Sequence, residues 1–319
     1  MKPRLIMLMA LAVAALSVSI AASRLTYAVA PAPAPAIAKL SPRLASYLGV
    51  YEKGSPPSLT PIETFATAAG RMPNIALDFT GWAEPFNSAF AASAHAKKIT
   101  LLVQIDPTGA SIAGIAAGYY DDYLRAYADS VRAFGHAVII GFGQEMNAPW
   151  YPWGYGHVPA ETFVAAWKHL VSLFREQGAQ NVTWLWTIQA DQAGTTGPIS
   201  TWWPGKQYVS WIGIDGFYYR PSDSFTSVFG GTIGDVRQFT NLPVLLSEAA
   251  VGPNADQVAA ITNLFHGMTQ YRTLGLVWFD VDQSQGTYHQ DWRIEDNQFA
   301  EASFRLGVLG DLGSSPGSG

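Results

Sequence analysis

Apolar residues along this chain gather into short continuous runs, and each run stops at a polar or acidic position. The runs are YLGVYE near 47, NIALDF near 74, ITLLVQID near 99, AVIIGFGQE near 137, VTWLWTIQ near 182, VSWIGIDGF near 209, PVLLSEA near 243 and LGLVWFDVD near 274. Continuous apolarity without alternation describes strands buried on both faces, as in a parallel sheet. Amphipathic stretches separate several of them. Tyr120, Leu124, Tyr127, Val131 and Phe134 recur at helical spacing and stop at Gly135; Phe163, Trp167, Leu170, Val171 and Phe174 do the same between Pro159 and Gly178. Thr60 and Glu63 have the spacing of a capping box ahead of Phe65. The segment DQAGTTGPISTWWPGK, from Asp191 to Lys206, has no helical period and is expected to form a long loop. Eight strands alternating with helices over roughly 260 residues predict an α/β fold, a single (β/α)8 barrel in preference to a doubly wound open sheet.

The ends of the chain follow a different pattern. Lys2 and Arg4 precede an apolar stretch from Leu5 to Ala22, the layout of a secretory signal, with an uncleaved membrane anchor as its competitor. VAPAPAPAIAKLSP reads as a stiff extended linker, because alternating proline removes backbone donors and disfavours helix. GDLGSSPGSG at the other end is rich in Gly and Ser. The expected organisation is therefore a signal or anchor over 1–28, a linker over 29–44, the barrel over 45–310 and a tail over 311–319. Such a protein is expected outside the cell, free or tethered, as a monomer. The sequence contains no cysteine, so neither a disulfide nor a lipid-modified cysteine is available.

Charged residues are 13% of the 319 and the net charge is −5, which offers no basic patch for nucleic acid. The aromatic load of 11 Trp, 14 Tyr and 16 Phe suits a large core and also the flat platforms that hold sugars. The six His show no metal-ligand spacing, no phosphate loop or Ser-His-Asp motif is present, and no cofactor is expected. NVT at 181 opens a strand and is expected to be buried rather than glycosylated.

A barrel gives its strand ends a meaning, because active sites of this fold lie at the C-terminal ends of the strands. Glu52, Asp78, Asp106, Glu145, Asp215, Glu248, Asp280 and Asp282 collect there. Most are read as helix caps or rim residues. Glu145, ending the fourth strand, and Glu248, ending the seventh, stand apart: a pair of long carboxylates facing one cleft is what glycoside hydrolysis requires.

GQEMNAPWYPWG resembles the acid/base segment of glycoside hydrolase family 26, and the resemblance extends to WLWTIQ, WIGIDGFYY, LLSEAA and LVWFD. It implies a (β/α)8 barrel and a retaining mechanism on a β-linked polysaccharide such as mannan, glucan or xylan. It also implies Glu145 as acid/base and Glu248 as nucleophile. Three departures stand out. Gln144 replaces the usual His, WTIQ stands where Trp-Thr-Pro-Asn is common, and Phe217 occupies a place that often holds Tyr, with Tyr218 following.

Gln144, Asn147, Trp150, Trp153, Trp186, Tyr218 and Trp278 are the candidate substrate contacts. Trp150 and Trp153 follow the acid/base in a loop. Trp184 and Trp186 share one strand face, toward the barrel or toward its helices. Trp278 resembles the family's tryptophan beneath the sugar at the cleavage point. Trp202 and Trp203 are either a distal sugar platform or a plug for the long loop, and Trp82 and Trp292 are read as structural. Two functions remain open: a retaining endo-β-glycanase, or a non-hydrolytic barrel that binds an exopolysaccharide in an envelope system.

Overall fold

The computed structural model describes residues 39–191, 196–253, 256–285 and 289–312. The expected signal or anchor, residues 29–38 of the linker and most of the tail lie outside these residues. Among the described residues, no helix is long and apolar enough to cross a membrane.

The chain runs β1 (Tyr47–Tyr51), α1 (Thr60–Ala69), β2 (Ile75–Gly81), α2 (Ser88–Ala96), β3 (Thr100–Asp106), α3 (Ile112–Ala116), α4 (Asp121–Phe134) and β4 (Val138–Phe142). It continues through α5 (Ala160–Glu176), β5 (Val182–Gln189), β6 (Trp211–Tyr218), α6 (Gly231–Val236), β7 (Val244–Val251), α7 (Gln257–Gln270) and β8 (Gly275–Phe279). A short ribbon, β9 (Asp282–Gln283) and β10 (Gln290–Asp291), precedes α8 (Gln298–Gly310). Strands β1 to β8 close in sequence order into a barrel, and every ladder around it is parallel. The fold is the (β/α)8 barrel that the alternation of runs predicts.

Helix ends follow local chemistry. Helix α4 stops at Gly135, whose φ of 73° is the left-handed cap that glycine adopts without a Cβ penalty. The capping box expected at Thr60 does not form: α1 has Leu59 at its cap, and Ser58 Oγ accepts from the Thr60 N–H at 3.0 Å. Glu63 instead pairs with Lys97 Nζ at 2.6 Å. Among the described residues of the long loop, Ile199–Trp202 forms a 3-10 turn. Its Trp202 is buried against Phe163 and its Trp203 packs on Trp186 and Phe239, so both plug the loop onto the barrel. Asn181 is buried and donates to the carbonyls of Val131 and His136.

Side chains alternate between the barrel interior and the layer against the helices. Tyr47, Ile75, Leu77, Leu102, Ile139, Leu185, Trp211, Leu245 and Val277 fill the lower interior as one apolar cluster, with the Tyr47 and Trp211 rings 5.1 Å apart. Contacts to this floor reach back before β1: the Leu40 N–H donates to Thr183 Oγ1 at 3.3 Å, and Tyr47 donates to the Ser41 carbonyl at 2.6 Å.

A polar layer caps that floor. Gln104 Nε2 donates to Thr187 Oγ1 at 2.8 Å, and Ser247 Oγ donates to Asp215 Oδ1 at 2.5 Å. Room for it comes from two glycines. A Cβ on Gly141 would lie 1.9 Å from Gln104 Oε1, and one on Gly213 would lie 2.6 Å from both Ser247 Oγ and Thr187 Oγ1. Any larger residue there would displace the polar side chains on which the mouth of the barrel rests.

Candidate active site

Glu145 lies just beyond β4, on strained backbone that the surrounding turn holds in place. Its φ is 55°, in the left-handed region that costs a non-glycine residue about 1 kcal/mol or more. The turn is held from below by its own N–H, which donates to the Thr187 carbonyl at 3.0 Å, and from beyond by Ala148 N–H donating to its carbonyl. Gly143, at the same φ, lets the chain pass Phe163, where a Cβ would come within 2.8 Å of the ring.

Three carboxyls meet at this end. Asp215 of β6 lies in register with Glu248 of β7, and a register shift between Ile214 and Asp215 leaves Ser247 opposite no partner. That bulge turns both Ser247 and Glu248 toward the barrel axis, where strict alternation would send one of them outward. Glu145 and Glu248 are each 7% exposed and Asp215 is fully buried. Burial pushes Glu145 up to about 7, against the opposing hydrogen bond from Trp150 Nε1 to its Oε2 at 2.6 Å. Burial, and then the charges of Asp215 and Glu145, raise Glu248 well above the usual carboxylate range. Asp215 is raised by burial and by Glu145, with the Ser247 hydroxyl opposing. Such a cluster titrates as a unit and carries fewer than three charges near neutral pH.

The carboxyls Glu145 and Glu248 open onto a cleft of about 840 Å³, within the usual range for a binding site. Its walls are largely aromatic: Tyr51, Phe79, Trp150, Tyr151, Phe217, Tyr219, Phe279 and Trp292. Gln144 and Gln189 supply amides. The Gln144 Oε1 is buried and has no hydrogen-bond partner among the described residues.

Of the seven expected substrate contacts, Gln144 and Trp150 line this cleft. Trp150 is 48% exposed, as a stacking platform has to be. The other five are placed elsewhere. Asn147 is buried and makes a reciprocal pair of hydrogen bonds with the backbone of Gln189, both 2.9 Å, so it ties the Glu145 turn to the end of β5. Trp153 is buried beneath Tyr151, ring on ring at 4.4 Å, and donates to the Gln144 carbonyl. Trp186 points outward against Trp203 and Phe239. Tyr218 is buried with its hydroxyl on Asn263 of α7, and Trp278 is buried against Phe304 of α8.

One cause accounts for the three strand residues. Trp186, Tyr218 and Trp278 are each one position away from an inward-facing neighbour, respectively Thr187, Phe217 and Phe279. In β6 the parity follows from Asp215, which bonds Ser247 in the barrel interior, so that Phe217 two residues on faces inward and Tyr218 outward. Trp292, read as structural, forms part of the cleft wall and donates from Nε1 to Gln283 Oε1 at 2.9 Å. It arrives from the ribbon after β8, for which the sequence offers no period.

The profile of Glycosyl hydrolase family 26 matches residues 117–305, more than half of the chain. Endoglucanase H of Acetivibrio thermocellus is 27% identical over 273 residues, covering 80% of this chain and 29% of that protein. Beta-1,3-xylanase TXYA of a Vibrio species is 24% identical over 216 residues, covering 63% of this chain and 44% of that protein. The chain thus spans less than half the length of these curated relatives. Among solved structures, a double mutant of Cellulomonas fimi endo-beta-1,4-mannanase superposes with a TM-score of 0.64 at 14% identity, covering 84% of this chain and 71% of that one. The GH26 domain of an endo-beta-mannanase/endo-beta-glucanase from Prevotella bryantii gives 0.61 at 11% identity, covering 84% and 89%. Those two likenesses concern the fold, and the profile match concerns descent: this chain belongs to glycosyl hydrolase family 26.

Proposed function

We propose that the protein is a retaining endo-β-glycanase that cleaves a β-1,4-linked polysaccharide, a mannan or secondarily a glucan, by double displacement. The observation that carries this reading is the pair of buried glutamates opening on one aromatic cleft, with Glu145 held up to about 7 by burial. A carboxyl with that affinity is about half protonated at neutral pH, where an ordinary glutamate is almost fully ionised, and can give its proton to a departing glycosidic oxygen. Glu248 attacks the anomeric carbon, forming a covalent glycosyl-enzyme, and Glu145, now ionised, takes a proton from the water that releases the sugar. Asp215 supports the nucleophile. One proton shared within the Asp215–Glu248 pair leaves a single charge, and while Asp215 holds the proton, Glu248 is free to attack.

The choice of β-glycan follows the names of the relatives, which include an endoglucanase, a β-1,3-xylanase and mannanases. Export by the N-terminal segment, cleaved or as a tether, belongs to the same reading, because such polymers lie outside the cell. The test is reducing-sugar release from β-1,4-mannan, glucomannan, mixed-linkage β-glucan and β-1,3-xylan by the wild type, Glu145→Ala and Glu248→Ala. Release by the wild type, lowered about 10²–10⁴-fold in Glu145→Ala, is expected. Binding without release on every polymer would instead establish a carbohydrate-binding barrel.

A further inference from the structure

On the far side of the β1–β8 seam, three carboxylates converge that the glycanase reading leaves unused. Glu52 follows β1, Asp280 follows β8, and Glu295 lies in the segment between β10 and α8. One oxygen from each lies within 4.8 Å of the other two. Asp280 is 98% buried by its exposure of 2%, and its Oδ2, like Glu295 Oε2, is buried with no N–H or O–H donor among the described residues. The three carboxyls face and hydrogen-bond one another, with no N–H or hydroxyl donor supplied to these two oxygens. The neighbouring cation is already engaged: Arg293 lies 2.6 Å from Asp291 and 2.5 Å from Asp296. Lys53 points its Nζ to the Asp282 carbonyl.

We propose that Glu52, Asp280 and Glu295 form a calcium-binding site that fastens the loop after β8 to the end of β1. Size and donor chemistry select the ion. Two oxygens on one Ca²⁺, each at about 2.3–2.6 Å, are separated by at most about 5 Å, so three oxygens within 4.8 Å of one another can share one ion. Mg²⁺, at about 2.0–2.1 Å in a strict octahedron, keeps several of its waters and is usually held by one or two carboxylates, which three converging carboxylates suit less well. An all-carboxylate set without His or Cys does not favour zinc or copper. Backbone carbonyls and water would complete the coordination, as is ordinary for calcium.

The ion would act on the cleft through its buried ligand. Asp280 Oδ1 accepts from Trp278 Nε1 and from the Ile294 N–H, both at 3.1 Å, and Trp278 Nε1 also donates to the Trp292 carbonyl. Holding Asp280 and Glu295 together thus fixes both ends of the segment that presents Gln283 and Trp292 to the cleft. The absence of His spacing conceals such a site in the sequence, because its ligands come from three separated segments.

The experiment uses the full chain, stripped with EDTA and dialysed into metal-free buffer. After equilibration with CaCl₂ and gel filtration, elemental analysis should find one calcium per chain, and none in Glu295→Gln. At a Ca²⁺ concentration about 100 times Kd, the melting temperature should rise by roughly 5–10 °C in the wild type, with no rise in Glu295→Gln. Asp280→Asn, which retains an oxygen for Trp278 and Ile294, should also lose the calcium response. The stoichiometry of the wild type is independent of any variant's folding. No bound calcium in the wild type, equal uptake by Glu295→Gln, or an equal thermal shift with MgCl₂ in all three proteins would overturn the proposal. None of these readings depends on glycanase activity.

Discussion

Replacing Trp150 with Phe isolates one hydrogen bond at the reacting centre. The aromatic ring facing the cleft is largely kept, while the N–H that donates to Glu145 Oε2 at 2.6 Å is lost. That N–H favours the ionised carboxyl, so its removal raises the pKa of Glu145 further above its value of about 7. A hydrogen bond to a charged group contributes about 1.5–3 kcal/mol when both partners are buried. Trp150 is 48% exposed, so water recovers much of this. A rise of about 0.5–1 pKa unit remains, given about 1.4 kcal/mol per unit. A general acid works while protonated, and a higher pKa extends its working range upward. The basic limb of kcat/KM against pH on a soluble β-glycan should therefore move to higher pH by that amount, whatever happens to the plateau. The control is Trp153→Phe, whose N–H bonds the Gln144 carbonyl and not Glu145. A basic limb that stays in place, or moves to lower pH, in Trp150→Phe would refute the assignment of Glu145 as the acid.

Three other outcomes follow from the same geometry. On an aryl glycoside with a good leaving group, Glu145→Ala should show a phenolate burst and slow turnover that azide accelerates, with a β-glycosyl azide as product, whereas Glu248→Ala should show neither; the reverse pattern would exchange the two roles. Asp215→Asn removes a charge that raises Glu248, so the acidic limb of kcat/KM should move to lower pH; an upward movement would contradict proton sharing in the pair. Trp186→Ala should cost about 3–5 kcal/mol of stability by denaturant titration, while Trp150→Ala should cost under about 1 kcal/mol and act on KM or kcat/KM instead; equal losses would mean that Trp150 is core.

How much was legible from the chain depends on the range of the interaction involved. The eight apolar runs became the eight barrel strands because burial on both faces leaves a continuous signature within a single segment. Glu145 and Glu248 could be named because one specific motif surrounds the first and both lie late in apolar runs whose ends face the mouth, although β7 continues three residues past Glu248 to Val251. The capping box at Thr60 failed because Ser58, two residues earlier, already satisfies the exposed N–H. Parity was harder. Choosing Trp186, Tyr218 and Trp278 over Thr187, Phe217 and Phe279 reverses every side chain of a strand with a one-residue error.

The sequence by itself determined the alternation of strands and helices, hence the closed parallel barrel, and the family to which the catalytic motif belongs. Only the tertiary structure decided which aromatics reach the cleft. It alone revealed that a bulge at Ser247 lets two successive residues face the axis, that Asp215 joins the glutamates, and that Trp292 returns from the ribbon to line the wall. The physical reason is that strand formation depends on the apolarity of neighbouring residues, whereas burial, proton affinity and the shape of the cleft arise between segments far apart in the chain. Glu52 and Asp280 lie at opposite ends of the sequence and become neighbours only when β8 pairs with β1 and closes the barrel.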